Sequence, residues 1–223
     1  MPTAPRPSTA PMTDLDLLTL AQWISPAYPV GAFAYSHGLE DAAAEGIVTP
    51  DSLQDWLADL LEFGAGQVEA RLIAAAWHAD PGVIPVIDAT ARALAGSRER
   101  LIETERQGAA FARITGAVWD LDLPPLAYPV ALGRAAALRG LPLAPVQMLH
   151  LQAWLANLAA AAQRLMPLGQ TGAQRIVAAL APRLPGIAAA TGDGALSALS
   201  SCAFLSDIAA MRHETLQPRI FAT

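Results

Sequence analysis

Four histidines, one cysteine and a scatter of carboxylates are the side chains in this 223-residue chain that could hold a metal or attack a substrate. His37, His78, His150 and His213 lie far apart and form neither an H-E-x-x-H nor an H-x-H arrangement, so no local metal site is written into the chain. Each reads first as a structural or surface residue. Cys202, flanked by Ser201, Ala203 and Phe204, reads as a small buried hydrophobe in an apolar helix. As the sole cysteine it excludes an intramolecular disulfide framework and a multi-cysteine zinc or iron–sulfur centre. Asp120 and Asp122 would diverge on a helix, and Pro124-Pro125 just beyond them makes a helix end the simpler role. All 14 basic residues are arginine. Without lysine there is no Walker-type phosphate lysine, no Schiff base and no pyridoxal-phosphate anchor. G-x-S-x-G and G-x-G-x-x-G are absent too. A catalytic reading, an all-α metal-dependent hydrolase, would have to gather distant residues such as His37, Glu40 and Glu214.

Three segments have compositions that packing alone does not require. Residues 25–40 (SPAYPVGAFAYSHGLE) string Pro26, Pro29 and Gly31 along one loop, crowd Tyr28, Phe33 and Tyr35 around it, and end on Glu40. The plain reading is a rigid turn pressing aromatics on the core; the functional one is a shaped contact surface. Residues 166–175 (MPLGQTGAQR) set Pro167 and Gly169 between a pair of helices, offer Gln170 and Arg175, and suggest Thr171 as a helix cap. Spacing alone makes this an ordinary helix–helix turn. Residues 207–223 (DIAAMRHETLQPRIFAT) end a helix by Pro218 and present Arg212, His213, Glu214, Arg219 and Phe221. Terminal segments are usually bland, so paired charges with an aromatic point to docking, against the chain itself or a partner.

These segments need a frame, and the composition makes it helical. The chain is 53% hydrophobic but only 6% aromatic, alanine is its commonest residue, and no period-2 segment is present, which favours helix over sheet. Residues 14–24 carry Leu17, Leu20, Ala21 and Ile24 on one face, with Asp14 as N-cap. Thr49 and Pro50 open a helix with a Leu53, Trp56, Leu57, Leu60 and Leu61 stripe, while Asp51, Asp55 and Asp59 share another face. The pattern breaks or kinks at Gly64 and Gly66 and resumes over 68–78. Further helices are expected at 33–45, 83–95, 98–119, 126–139, 145–166, 171–181 and 194–212. In 98–119, Arg100, Glu103 and Arg106 recur every three residues and suggest a solvent- or partner-facing first half. The 145–166 helix, apolar nearly all round, reads as central. The fold class is all-α, a single-domain helical bundle of about eight to ten helices. Residues 1–13 read as a disordered N-terminal segment, 14–206 as the domain and 207–223 as a docking tail.

Bulk charge narrows the partners. A net charge of −6 argues against nucleic acid, whose phosphates need a basic face. Only 15% of residues are charged, against about 25% in ordinary soluble domains, and the mean hydropathy is +0.34. So much apolar surface is expected to be covered by an oligomer or an obligate partner. The N-terminus has no apolar h-region. The charge-free stretch 140–163 is interrupted by Pro142, Pro145, Gln147, His150, Gln152 and Asn157, so no membrane span is expected and the cytoplasm is the default.

In this order and at these separations the three segments resemble the urease accessory protein UreF family. The likeness rests on S-P-x-x-P-V-G-A-F-x-Y-S-x-G-L-E at 25–40, P-L-G-Q-T-x-x-Q-R at 167–175 and D-I-A-x-x-R-H-E-T at 207–215. Glu103 to Gly108 also looks like the family's central polar helix. The resemblance implies a non-enzymatic, cytoplasmic, all-α homodimer that binds no cofactor tightly. It implies two partners, a UreD/UreH-type accessory protein and a UreG-type GTPase that binds the GTP, in a complex delivering nickel to apo-urease. The partner-binding residues are then expected among Tyr28, Pro29, Gly31, Phe33, Tyr35, Glu40, Gln170, Arg175, Arg212, His213, Glu214, Arg219 and Phe221. Two departures stand out. The tail ends Arg219-Ile220-Phe221-Ala222-Thr223 where the family pattern has a second arginine, and Gly172-Ala173 replace an Asp-Gly pair. The competing reading is a generic all-α adaptor unrelated to urease.

Overall fold

Apolar residues at three- and four-residue spacing run through the chain, and helix forms wherever proline or glycine does not interrupt them. The computed structural model describes residues 12–223, so all of the segment 1–13 except Met12 and Thr13 lies outside the described residues. The helices are α1 (Asp14–Ile24), α2 (Leu39–Ala44), α3 (Leu53–Phe63), α4 (Ala65–His78), α5 (Ile84–Ala93), α6 (Arg98–Trp119), α7 (Tyr128–Leu138), α8 (Leu143–Leu165), α9 (Gln170–Leu180), α10 (Leu184–Thr191) and α11 (Phe204–His213). Among the described residues there is no strand, and only α2 and α10, with six and eight residues, are shorter than ten. The architecture is the all-α bundle that the composition implies.

Local chemistry moves several boundaries from where spacing puts them. Thr13, not Asp14, caps α1, in a capping box with Asp16 that satisfies amides at both ends of the turn. The 33–45 helix divides into a 3-10 turn, Ala32–Ala34, and α2, because Gly38 takes a left-handed φ of 76° between them. Thr49 closes the turn before α3 through reciprocal bonds with Ser52. Gly169 rather than Thr171 stands at the N-cap of α9. The 194–212 helix is also divided, into the 3-10 turn Leu196–Ala198 and α11. Cys202 therefore lies in an extended link and is exposed, not buried in a helix.

Two hydrophobic cores share α4 and α8. One gathers Leu20 and Trp23 of α1, Ile73 of α4, Ile87 of α5, Phe111 of α6 and Leu132 of α7. The other gathers Leu39 of α2, Leu57 and Leu61 of α3, Leu151 and Leu155 of α8, and Leu180 and Leu184 beside α9 and α10. Helix α8 is central in having the most neighbours, α1, α2, α4, α7, α9 and α10, whereas α4, packed by α3, α5, α7, α8 and α10, is buried over more of its length. Small residues allow the closest approach. A Cβ at Gly133 of α7 would sit 2.2 Å from the Ile73 carbonyl oxygen of α4, so only glycine permits that crossing. Gly133→Ala is expected to cost about 1–3 kcal/mol or more by overpacking. Gly186→Ala in α10, where a Cβ meets nothing within 4 Å, should gain up to about 1 kcal/mol from helix propensity. Urea denaturation of both variants checks the contrast.

Candidate functional site

The loop after α1 is held from several sides. Tyr28 is buried and its hydroxyl hydrogen-bonds Thr115 of α6 at 2.7 Å. Asn157 of α8 donates its amide to the Ala32 carbonyl at 2.9 Å. Gly31 adopts a φ of 78° with open space where a Cβ would stand, so backbone conformation alone calls for glycine there. Gly38 is tighter, since a Cβ would lie 2.6 Å from the Ala210 nitrogen of α11. Pro29 is exposed and Tyr35 buried. Phe33, by contrast, is 71% exposed at the loop's outer edge.

Residues 218–223 come back onto this loop. The Ala222 amide donates to the Ala34 carbonyl at 2.8 Å, and the Ser36 amide donates to the Thr223 carbonyl at 2.8 Å. The Ser36 hydroxyl adds a second bond to that carbonyl at 2.5 Å. Glu40 holds the turn together: its carboxylate accepts the Ile220 amide at 2.6 Å and the Phe221 amide at 2.8 Å. It also faces His213 Nε2 at 3.0 Å, while His213 Nδ1 faces Glu99 at 2.7 Å. Arg219 pairs with the other oxygen of Glu99, and the Arg164 guanidinium of α8 lies over the buried Phe221 ring, 4.3 Å from its centroid. Burial works to raise the Glu40 carboxyl, but His213 and the two amides outweigh it, and the net shift is downward.

Behind the loop, α4, α6 and α8 send charged groups into one buried chain of contacts. His150 Nε2 meets Glu69 at 2.8 Å, Glu69 meets Arg100 at 3.2 Å, and Arg100 pairs with Glu103. Glu103 reaches His37 Nε2 at 3.0 Å and accepts from the Gln107 amide at 3.0 Å and the Thr223 hydroxyl at 3.3 Å. Burial alone would raise the Glu103 carboxyl, yet Arg100 and His37 together hold it at about 2. Glu69 is likewise lowered, with His150 and Arg100 overcoming its burial. These groups form the charged end of a cleft of about 510 Å³ between the loop and α8, whose walls include Ile24, Val30, Phe33, Leu149 and Ala156. Among the described residues no group of three or more His, Cys, Asp and Glu side chains is placed to hold a metal ion.

The structure thus joins two of the three sequence segments. Glu40 and His213 meet in the interior, Phe221 packs beside them, and Arg219 closes the edge. Arg212 and Glu214 are exposed, Glu214 accepting the Arg98 amide at 2.8 Å. Gln170 and Arg175 are exposed on α9, and no hydrogen bond ties them to the loop among the described residues. His37, Glu40 and Glu214, the set required for a hydrolase, bond to three different neighbours and not to each other. Spacing did not bring Glu69, Arg100, Glu103, His150 and Asn157 together. Arg100 and Glu103 face inward rather than toward solvent, and His150 and Asn157 carried a signal, as polar interruptions of an apolar helix.

Comparison with known proteins is direct. Residues 47–181 match the UreF family model. The urease accessory protein UreF of Cereibacter sphaeroides is 54% identical over 209 residues, covering 93% of this chain and 98% of that protein. That of Ruegeria pomeroyi is 50% identical over 213 residues, with 95% and 98% covered. That of Roseobacter denitrificans is 48% identical over 207 residues, with 92% and 93% covered.

The ion chain makes stability depend on acid. The Glu103 carboxyl moves from an ordinary 4.5 to about 2 on folding, so its contribution is complete above about pH 4.5 and is lost as pH falls toward 2. It is on the order of 3 kcal/mol. Glu103→Gln is expected to flatten the stability profile in that window, measured by urea denaturation at a series of pH values. Glu40→Ala leaves two amides and His213 without their acceptor and is expected to cost about 2–4 kcal/mol. Faster hydrogen exchange at the Ile220 and Phe221 amides would report the release.

Proposed function

Because the chain belongs to the UreF family of urease accessory proteins, we propose that it is the scaffold joining a UreD/UreH-type accessory protein to a UreG-type GTPase. The assembly inserts nickel into apo-urease, and the scaffold modulates the GTPase. The family is one of non-catalytic accessory proteins, so the chain is not an enzyme. Nickel is then cargo of the assembly and GTP is bound by the UreG-type partner, with no cofactor bound tightly by this chain. A homodimer in the cytoplasm belongs to the same proposal; no helix among the described residues is long and apolar enough to cross a membrane.

The observation that carries the reading, beside the family itself, is the joint surface made by the loop and residues 218–223. Buried hydrogen bonds to Tyr28, Asn157, Ser36 and Glu40 pre-organise both segments, which lowers the entropy cost of binding. They leave Phe33 outside, 71% exposed, as an aromatic anchor of the kind that dominates interfaces. Gln170 and Arg175 on α9, and Arg212 and Glu214 at the end of α11, supply polar contacts for a second partner on other faces.

Co-expression with UreD-type and UreG-type proteins, followed by size-exclusion chromatography, is expected to give one co-eluting complex; a generic adaptor would elute alone. Phe33→Ala is expected to weaken that complex about tenfold or more, at least about 1.4 kcal/mol, with the melting temperature of the isolated chain unchanged. Equal affinity by calorimetry would remove Phe33 from the interface.

A further inference from the structure

Helix α11 is apolar on two sides, and the described residues cover only one of them. Ser206, Ala209, Ala210 and His213 are buried on the side that packs against α2 and α6. On the other side Phe204, Ile208 and Met211 recur at i, i+4 and i+7 and are 67%, 42% and 55% exposed. Beside this stripe a groove of about 290 Å³ opens between the end of α3 and the first turn of α11, lined by Trp56, Asp59, Leu60, Phe63, Cys202 and Leu205. Its shape is set by the backbone. The Cys202 amide donates to the Phe63 carbonyl at 2.8 Å, and a Cβ at Gly64 would lie 2.8 Å from the Ala203 methyl.

The unpaired charge along α3, beside the groove, is acidic. Asp51, Asp55 and Asp59 follow each other at four-residue intervals along and just before α3, and all three are exposed. None has an ion-pair partner among the described residues, whereas Glu62, one turn further, is paired with Arg183 at 2.7 Å. No basic residue lies in α3 itself. An apolar trough flanked by an uncompensated acidic row at helical spacing has a definite complement.

We propose that this face docks a basic amphipathic helix of a partner protein, its apolar anchor seated in the groove and along Phe204, Ile208 and Met211. Its arginines or lysines lie over Asp51, Asp55 and Asp59. The four-residue intervals along α3 and the four- and three-residue intervals along α11 each advance about one helical turn, the geometry of helix-in-groove recognition. A second copy of this chain suits the face poorly. The chain carries a net charge of −6, and a two-fold axis through the groove brings the acidic row against itself. The inference rests on the scaffold role only in expecting a protein partner; its test does not.

The test uses the full chain and a fluorescent helix-forming peptide of about 18 residues, with leucine and tryptophan on one face and arginine on the other. A version with glutamate in place of arginine serves as control. By anisotropy the arginine peptide is expected to bind about tenfold or more tighter than the control, with affinity falling as salt rises. Ile208→Asp is expected to abolish binding and Asp59→Arg to weaken it about tenfold while reducing the salt dependence. Both positions are exposed, so both variants should retain the wild-type melting temperature. Equal binding of the two peptides, or binding unmoved by both substitutions, overturns the proposal. So does a dimer in size-exclusion chromatography that Ile208→Asp dissociates, which would assign the face to a second copy. Binding that appears only after removal of residues 1–11 would assign it to the chain's own N-terminal segment and overturn it as well. If the peptide binds as expected but the chain joins neither UreD-type nor UreG-type protein, the scaffold function fails and the docking face stands.

Discussion

A carboxylate taken out of water must meet a cation or a row of amides, or it will not stay ionised. That requirement ties the ends of this chain to its middle. Helix α6 alone turns Glu99 and Glu103 inward, and α2 and α4 add Glu40 and Glu69. The groups that answer them come from elsewhere: His37 from the loop, His150 from α8, His213 from α11 and Arg219 from beyond it. Arg100, by contrast, shares a helix with one of the four acids, Glu103. Each buried acid therefore acts as a tie between segments far apart in sequence, and removal of either partner leaves an uncompensated charge inside. Apolar packing makes the bundle; the ion ties decide how the loop and the residues after α11 lie on it.

The ties also explain why the cleft is charged at one end and greasy along its walls. The chain of contacts from His150 to Glu103 occupies the junction where α4, α6 and α8 converge, a place too polar for the two cores to close over. The loop spans the opening instead, suspended from Tyr28 and Asn157. A surface built in this way is stiff, because its anchors are buried, and its exposed groups are presented rather than merely left over.

Much of the fold was legible in the residues. The span of α6 follows from Ser97 as cap and Asp120 as stop, and α3, α4, α8 and α9 follow from apolar spacing bounded by glycine and proline. Helix α10 was not legible, since Leu184 to Thr191 is short, nearly uniformly apolar and contains Pro185 and Gly186. The site was only partly legible. Unusual composition marked the loop, Glu40, His213 and Phe221. It did not mark the partners, because a three-residue recurrence such as Arg100, Glu103 and Arg106 looks the same on a face that meets water and on one that meets a buried histidine. Four histidines scattered through the sequence carry no sign that three of them will share one polar interior. Nor does Cys202 betray that an irregular link, rather than a helix, will hold it at the surface.

The bond from Ser36 to Thr223 closes a separation of 187 residues, and this has a consequence for how the protein is made. A ribosome adding about 5–20 residues per second releases the loop roughly ten to forty seconds before it supplies the residues that complete it. During that interval Glu40 has neither His213 nor the amides of Ile220 and Phe221, and its carboxylate stays hydrated. The bundle from α1 to α10 is available for collapse while the loop still lacks these partners. Newly made chains thus carry a nearly complete bundle for some seconds before the loop acquires the hydrogen-bond partners that fix it.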